Sequence, residues 1–335
     1  MPARLFLWSL FFSCLLAACT PPIPDSPADA TLSGWTAQTT GVSTALGGLF
    51  FLDDTVGWAT GGKGVILHTR DGGAHWAPQK SGVENILVSI FFVDAERGWV
   101  VGDRGLILHT EDGGQSWQRQ ESGKKKDLTG VVFLDRQRGF AAAVDGLLFA
   151  TVDGGVHWTT SEMTPKVTLT SIFFVDGKRG WITGHGGAIF QTVDGGTTWH
   201  HQQAGEGRDL HRSFFVTPEV GWVVGFGGTI LHTTDGGAHW TAQTSGVPVH
   251  LLGVSFVDPK IGWVVGAGGT ILRTTDGGAT WAQQPSGTLE FLIHLVAIDS
   301  NTAWIVGRKG TLLHTKRGGV PPLTGQSSPI PQSVP

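Results

Sequence analysis

The sequence predicts an all-β fold: a seven-bladed β-propeller with four-stranded blades. Three observations predict it. A 41-residue unit recurs seven times, each unit holds four short β-type runs, and the run that the last unit lacks stands alone ahead of the first.

The repeat is read from two markers. Asp-Gly-Gly-x-x-Trp occupies 71–76, 112–117, 153–158, 194–199, 235–240 and 276–281, always 41 residues apart. One step further, Arg317-Gly318-Gly319 survives without the Asp or the Trp. Trp58, Trp99, Phe140, Trp181, Trp222, Trp263 and Trp304 keep the same period, with no insertion or deletion between them.

The second unit shows the internal pattern. Residues 88–94 form an apolar run of β-formers that stops at an Asp turn, followed by 98–101 and a tight Gly-Asp-Arg-Gly hairpin. Residues 106–110 make a third strand, and 117–121, after the Asp-Gly-Gly turn, a fourth. No stretch has room for a ten-residue helix. A linear β-solenoid also repeats, but its coils are shorter.

Closure is visible in the ends. The seventh unit has runs at 295–299, 304–306 and 311–315, yet Pro322 stands where its fourth-strand Trp is due. Residues 34–39 carry Trp35, which lies 41 residues before Trp76 and so is in phase as a fourth-strand Trp. The N-terminal strand is therefore expected to complete the last blade and remove a free sheet edge. The propeller is placed at 34–319.

The periodic Trp residues are expected to pack between blades. Each ring buries about 150–250 Å², an upper bound of about 4–6 kcal/mol at roughly 25 cal/mol per Å². Asp71, Asp112, Asp153, Asp194, Asp235 and Asp276 are given a structural role. Asp accepts backbone N–H bonds across a tight turn while Gly supplies positive φ. The alternating Asp spacing of a calcium loop is absent.

Composition narrows the class. The chain has 335 residues with 51 Gly, 14 Trp, 18 Phe and no Tyr, and only 15% are charged. A net charge of −4 gives no basis for nucleic-acid binding. No cofactor and no metal are expected, and the chain is expected to be a monomer.

Residues 1–18 read as a secretory signal: Arg4, a short apolar run over 5–16, then Leu-Ala-Ala-Cys. That ending resembles a bacterial lipobox, which implies lipid modification of Cys19 and anchoring to a membrane. Cys14 falls in the removed segment, so no internal disulfide is expected. Thr20, not Asp, follows the cysteine, resembling an outer-membrane-directed lipoprotein. Residues 19–33 are a Pro-rich tether, and 320–335 have the same character and are expected to be disordered.

The repeat resembles the Asp-box, or BNR-type, family. Its larger pattern is similar to the photosystem II stability/assembly factor family, with this chain as a bacterial relative. The resemblance is carried by motifs such as Phe91-Phe92-Val93-Asp94, Gly98-Trp99-Val100-Val101-Gly102 and Ile107-Leu108-His109-Thr110. It implies an extracytoplasmic, chaperone-like propeller that binds newly made reaction-centre subunits, partly through an arginine-rich patch. Its clients would be photosystem II subunits in a phototroph and another extracytoplasmic protein elsewhere. The location implied is the periplasmic face of an outer membrane, or the thylakoid lumen in a cyanobacterium.

Two basic groups are candidates for partner binding. The second-to-third-strand hairpins of units seven, one and two bring Arg308, Lys309, Lys63 and Arg104 together, and Lys124, Lys125 and Lys126 add to them from the connection after unit two. On the opposite face the first-to-second-strand turns supply Arg97, Arg138 and Arg179 in a row. Acidic residues are interspersed with the first group, and a solvated charged face is the plain alternative.

His68, His109, His232 and His314 share one phase on separate third strands, cannot converge on one metal, and are expected to hydrogen-bond across the turn. His200, His201 and His211 are only weakly metal-like. A glycan-binding or glycoside-hydrolase propeller is the other function considered. The missing Tyr removes the nucleophile that the resemblance to sialidases would require, and Asp145, Glu162, Glu206 and Glu290 are loose candidates for a carboxylate pair. An enzyme is not expected.

Overall fold

The computed structural model describes residues 34–205 and 207–321. The signal segment, the tether with Cys19, most of the tail and Glu206 lie outside the described residues.

A single strand, β1 (Gly34–Ala37), is followed by seven groups of strands. Blade one is β2–β5 (46–79), blade two β6–β9 (87–121), blade three β10–β13 (128–162) and blade four β14–β17 (169–203). Blade five is β18–β21 (210–244), blade six β22–β25 (251–284), and blade seven β26–β28 (292–319) together with β1. Every blade is a four-stranded antiparallel meander, referred to below as strands A to D from the axis outward.

The A strands touch their neighbours all the way round: β2 contacts both β6 and β26, which closes the ring and excludes a linear stack. Closure runs through β1, which pairs antiparallel with β28 (Leu312–Gly319), aligning Thr36 with His314 and Ala37 with Leu313. Trp35 is buried and donates from Nε1 to Gln284 Oε1 of blade six at 3.1 Å. Beyond it, Thr40 Oγ1 donates to Gly310 O at 3.1 Å, so the start of the chain also braces the last B–C turn.

The B strands are buried along their whole length in blades one to six and from Ala303 on in blade seven, because each is covered on both faces by the adjacent blades. That is why they read Gly-Trp-Val-Val-Gly instead of alternating. The core is a set of clusters lying between blades; one joins Trp99 of blade two to Leu128, Val131 and Phe133 of blade three. Strand-B Trp rings stack on the last Phe of the next blade's A strand: Trp58 on Phe92 at 3.8 Å, Trp99 on Phe133 at 3.5 Å, Trp181 on Phe215 at 3.4 Å. In five blades the Nε1–H then reaches the Asp-Gly-Gly turn of that next blade, as Trp58 does to Gly113 O at 3.3 Å and Trp304 to Gly72 O at 2.9 Å; Trp263 makes no such bond among the described residues.

A second tie was not anticipated. Trp-x-x-Gln recurs on six of the seven outer strands, and in several the Gln bridges blades. Gln79 accepts from Trp117 Nε1 at 3.3 Å and donates to Gly113 O at 2.9 Å. Gln243 does the same with Trp281 and Gly277.

The turns have the expected structural use. In blade one Asp71 Oδ1 accepts from Thr69 Oγ1 at 2.9 Å and from His75 N at 2.9 Å, while Thr69 Oγ1 accepts from Gly73 N at 2.8 Å. Donation to the charged form holds this carboxyl near a pKa of about 2.

One expectation is corrected. The phase-sharing histidines make no bond across the turn; they are cross-strand partners of the strand-B Trp and stack on it. His68 lies 4.7 Å from Trp58, and His109, His232 and His314 repeat the contact. Their Nε2 atoms are buried without a hydrogen-bond partner among the described residues. Burial lowers the pKa of His314 to about 4, so the ring is neutral and packs as an aromatic.

Candidate functional site

The B–C turns and D–A connections share one face, and a funnel of about 390 Å³ opens there along the axis. Its upper wall is built from turn residues, including Gly62, Val144, His185, Phe226 and Arg308, together with D–A residues such as Ile86, Asp127, His250 and Phe291. Deeper, the second residue of each A strand lines it: Gly47, Val88, Thr129, Thr170, His211, Leu252 and Ile293. The A strand bulges at this residue, which turns its side chain to the axis.

Of the first basic group, Arg308 lines the funnel itself. Its guanidinium lies 4.2 Å from the Phe291 ring centroid, a cation–π contact that fixes it at the mouth. Lys63, Arg104 and Lys309 occupy the tips of the B–C turns of blades one, two and seven, which are consecutive around the ring. Lys309 Nζ pairs with Glu290 Oε1 at 2.7 Å, and Arg104 Nε lies 3.7 Å from Asp103 Oδ2. Lys126 pairs with Asp145 at 2.6 Å, closing the sector at blade three. Among the described residues Lys63, Lys124 and Lys125 form no ion pair.

The tips have an unusual backbone. Lys63, Arg104, Asp145 and Lys309 adopt left-handed φ of 57°, 56°, 59° and 52°. Blades four, five and six have Gly186, Gly227 and Gly268 at this phase, with φ of 65°, 65° and 64°. The turn therefore demands a left-handed residue, and four blades place a charged side chain where glycine would be unstrained.

On the other face the arginine row is engaged within its own turns. Arg97 lies 3.5 Å from Asp94, Arg138 2.7 Å from Asp135, and Arg179 3.2 Å from Asp176 and 3.4 Å from Glu219. Those Asp side chains also accept the backbone N–H groups of the turn, as Asp135 does from Gln137 and Arg138.

The looser candidates do not converge. Asp145 pairs with Lys126, Glu290 with Lys309, and Glu162 with Lys166 at 3.2 Å on the outermost strand of blade three. His200 and His201 begin the outer strand of blade four, whereas His211 lines the funnel. No group of three His, Cys, Asp or Glu side chains among the described residues is placed to hold a metal ion.

Sequence reasoning missed two residues at the base of the funnel. Arg212 and His294 take the third position of their A strands, where five blades have Gly or Ser. Arg212 Nη1 donates to His294 Nε2 at 2.7 Å, spanning blade six between them.

A closed ring of Asp-box blades with an axial funnel on one face defines an Asp-box β-propeller. The chain belongs to the photosynthesis system II assembly factor YCF48 family, which it matches over residues 28–126, 120–201, 158–246 and 242–321. Among solved structures it is similar to YCF48 bound to D1 peptide, at 23% identity and a TM-score of 0.72, covering 88% of this chain and 98% of that one. YCF48 from Cyanidioschyzon merolae is 21% identical with a TM-score of 0.71, over 84% of this chain and 98% of that one. The GH74 xyloglucanase from Xanthomonas campestris is 14% identical with a TM-score of 0.69, over 85% of this chain and 54% of the enzyme. At these identities the likeness shows the fold alone. No curated protein matches the chain.

Proposed function

We propose that this chain is an extracytoplasmic protein-binding scaffold, tethered to a membrane through a lipid on Cys19, that grips an acidic segment of a client with the funnel face. The observation that carries the reading is the set of basic tips Lys63, Arg104 and Lys309. Three consecutive blades hold a long cation in a left-handed backbone that glycine fills in blades four, five and six. Strain retained at an exposed tip is a mark of use. Lys124, Lys125, Lys126 and Arg308 extend the same sector, and such a sector steers an acidic partner and sets its register.

The D1 peptide held by the solved relative supports a protein client, a reaction-centre subunit in a phototroph and another extracytoplasmic protein elsewhere. Arg97, Arg138 and Arg179 form a secondary contact row, whose side chains must leave their turn carboxylates to reach a partner. The test is cross-linking in intact cells, comparing wild type with Lys63→Glu, Arg104→Glu and Lys309→Glu combined. A client captured by wild type and lost from the variant is expected; equal capture overturns the assignment of this face. Cys19→Ala should move the protein from the membrane to the soluble fraction, and an unchanged distribution overturns the tether.

A further inference from the structure

We propose that the base of the funnel is a carboxylate-binding site, with Arg212 as its anchoring cation and the mostly apolar wall receiving the group that bears the carboxylate. The proposal rests on the reading of the funnel face as the client-binding one.

The third position of the A strands is Gly or Ser in five blades, so the ring there has room for side chains from the other two. Arg212 on β18 (Leu210–Phe215) uses that room to reach His294 on β26 (Leu292–Ala297). Blade six, which lies between, has Gly253, where an added Cβ would stand 3.3 Å from His294 Cα. Because a guanidinium only donates, His294 Nε2 is the acceptor and the ring proton sits on Nδ1. That Nδ1 and Arg212 Nε are both buried without a partner among the described residues.

Arg212 forms no ion pair among the described residues. Burial lowers its pKa to about 10, which leaves it cationic at neutral pH. His294 is pushed well below its ordinary value by burial and then by Arg212, and His211 is lowered to about 3 for the same reasons. The neighbouring imidazoles are therefore neutral, and one positive charge stands at the base without an anion. Asp127, the one carboxylate among the funnel's described lining residues, is at the upper wall, where its Oδ1 accepts Arg104 N at 2.8 Å. A half-buried cation of this kind is costly to a fold unless an anion offsets it.

The wall is mostly apolar, with Val88, Leu252, Ile293, Phe226 and Phe291 beside the polar Thr129, Thr170, His185 and His211. The volume, about 390 Å³, lies within the range of small-ligand pockets. One guanidinium fork matches a carboxylate, whereas a phosphate dianion would leave charge unmet. A peptide C-terminus with an apolar last residue and a small apolar organic acid share this chemistry.

Isothermal titration calorimetry of the folded domain tests the site with an N-acetylated tetra-alanyl-leucine peptide, its C-terminal amide, and hexanoate. Wild type should bind the free acid at least about tenfold more tightly than the amide. Arg212→Met should abolish that preference and unfold at higher urea than wild type. Equal binding of acid and amide by wild type overturns the proposal even if the variant does not fold, and so does a preference that survives Arg212→Met. Hexanoate as tight as the peptide acid identifies the source as a small acid; hexanoate far weaker identifies a peptide end, and both support a carboxylate site. The acid preference is measured with Lys63, Arg104 and Lys309 intact, and client capture with Arg212 intact, so failure of the funnel site is read separately from failure of the rim.

Discussion

Replacing Lys63, Arg104 and Lys309 together by glycine separates binding from stability at the rim. Their φ values of 57°, 56° and 52° place a Cβ where a left-handed backbone costs roughly 1–2 kcal/mol per residue. Glycine removes that strain but gives the unfolded chain more freedom, about 0.5–1 kcal/mol per site. Two exposed ion pairs are also lost, Lys309–Glu290 and Arg104–Asp103, and exposed pairs contribute about 0–1 kcal/mol each. The middle of these ranges predicts a variant about 1 kcal/mol more stable than wild type, and their unfavourable extreme a loss of about 2 kcal/mol. Urea unfolding followed by Trp fluorescence measures this. Fluorescence anisotropy with an acidic peptide at two salt concentrations measures binding, which should weaken by about tenfold or more and lose most of its salt dependence. Loss of more than about 2 kcal/mol would mean that the cations hold the turns and are not there for a partner, and the reasoning would be refuted. Unchanged peptide binding would refute it equally.

Trp263→Phe and Trp58→Phe remove the same atoms at the same phase of two blades, yet Trp58 Nε1 has an acceptor and Trp263 Nε1 is buried without one among the described residues. Trp263→Phe should therefore be less destabilising by about 2 kcal/mol, and equal urea midpoint shifts would discount the bond. Trp35→Ala should cost about 3–5 kcal/mol in the same assay, because this buried ring closes blade seven against Gln284; a loss under 1 kcal/mol would mean that the ring is held shut by other contacts. Stability should fall with pH in two windows. His314, with a folded pKa of about 4, binds no proton where the unfolded residue does, so its contribution declines as pH drops from about 6.5 to 4. Asp71, Asp112, Asp153, Asp194 and Asp276, held near about 2, add stability above about 4 that is lost as pH falls toward 2; a flat urea midpoint from pH 7 to 2 would contradict both.

The fold was legible because its stabilising contacts are themselves periodic. In five blades a Trp at one phase stacks on the next blade's Phe and bonds the next blade's turn, and an aromatic ring holds that phase in the other two, so its spacing counts the blades. Trp35 lying in phase ahead of the first unit then gives the closure. The histidine stack was misread for a local reason: the sequence shows His68 beside its turn, but only strand register shows it opposite Trp58. The Trp-x-x-Gln ties were equally periodic, and were missed because the Trp alone accounted for the burial.

The funnel base escaped for the opposite reason. A repeat reports what every blade shares, whereas a site on the axis needs what one blade has and the others lack. Arg212 and His294 stand out only when the seven A strands are aligned and the third position is compared, where Gly or Ser gives way twice to a long polar side chain. The same comparison separates the two basic groups. Arg97, Arg138 and Arg179 have a turn carboxylate beside them that answers their charge, while Lys63, Arg104 and Lys309 occupy a backbone that glycine would fill without strain. In a ring this regular, departures from the repeat that bring strain or unmet charge are the places where binding is to be sought, since the fold itself gives no reason to keep them.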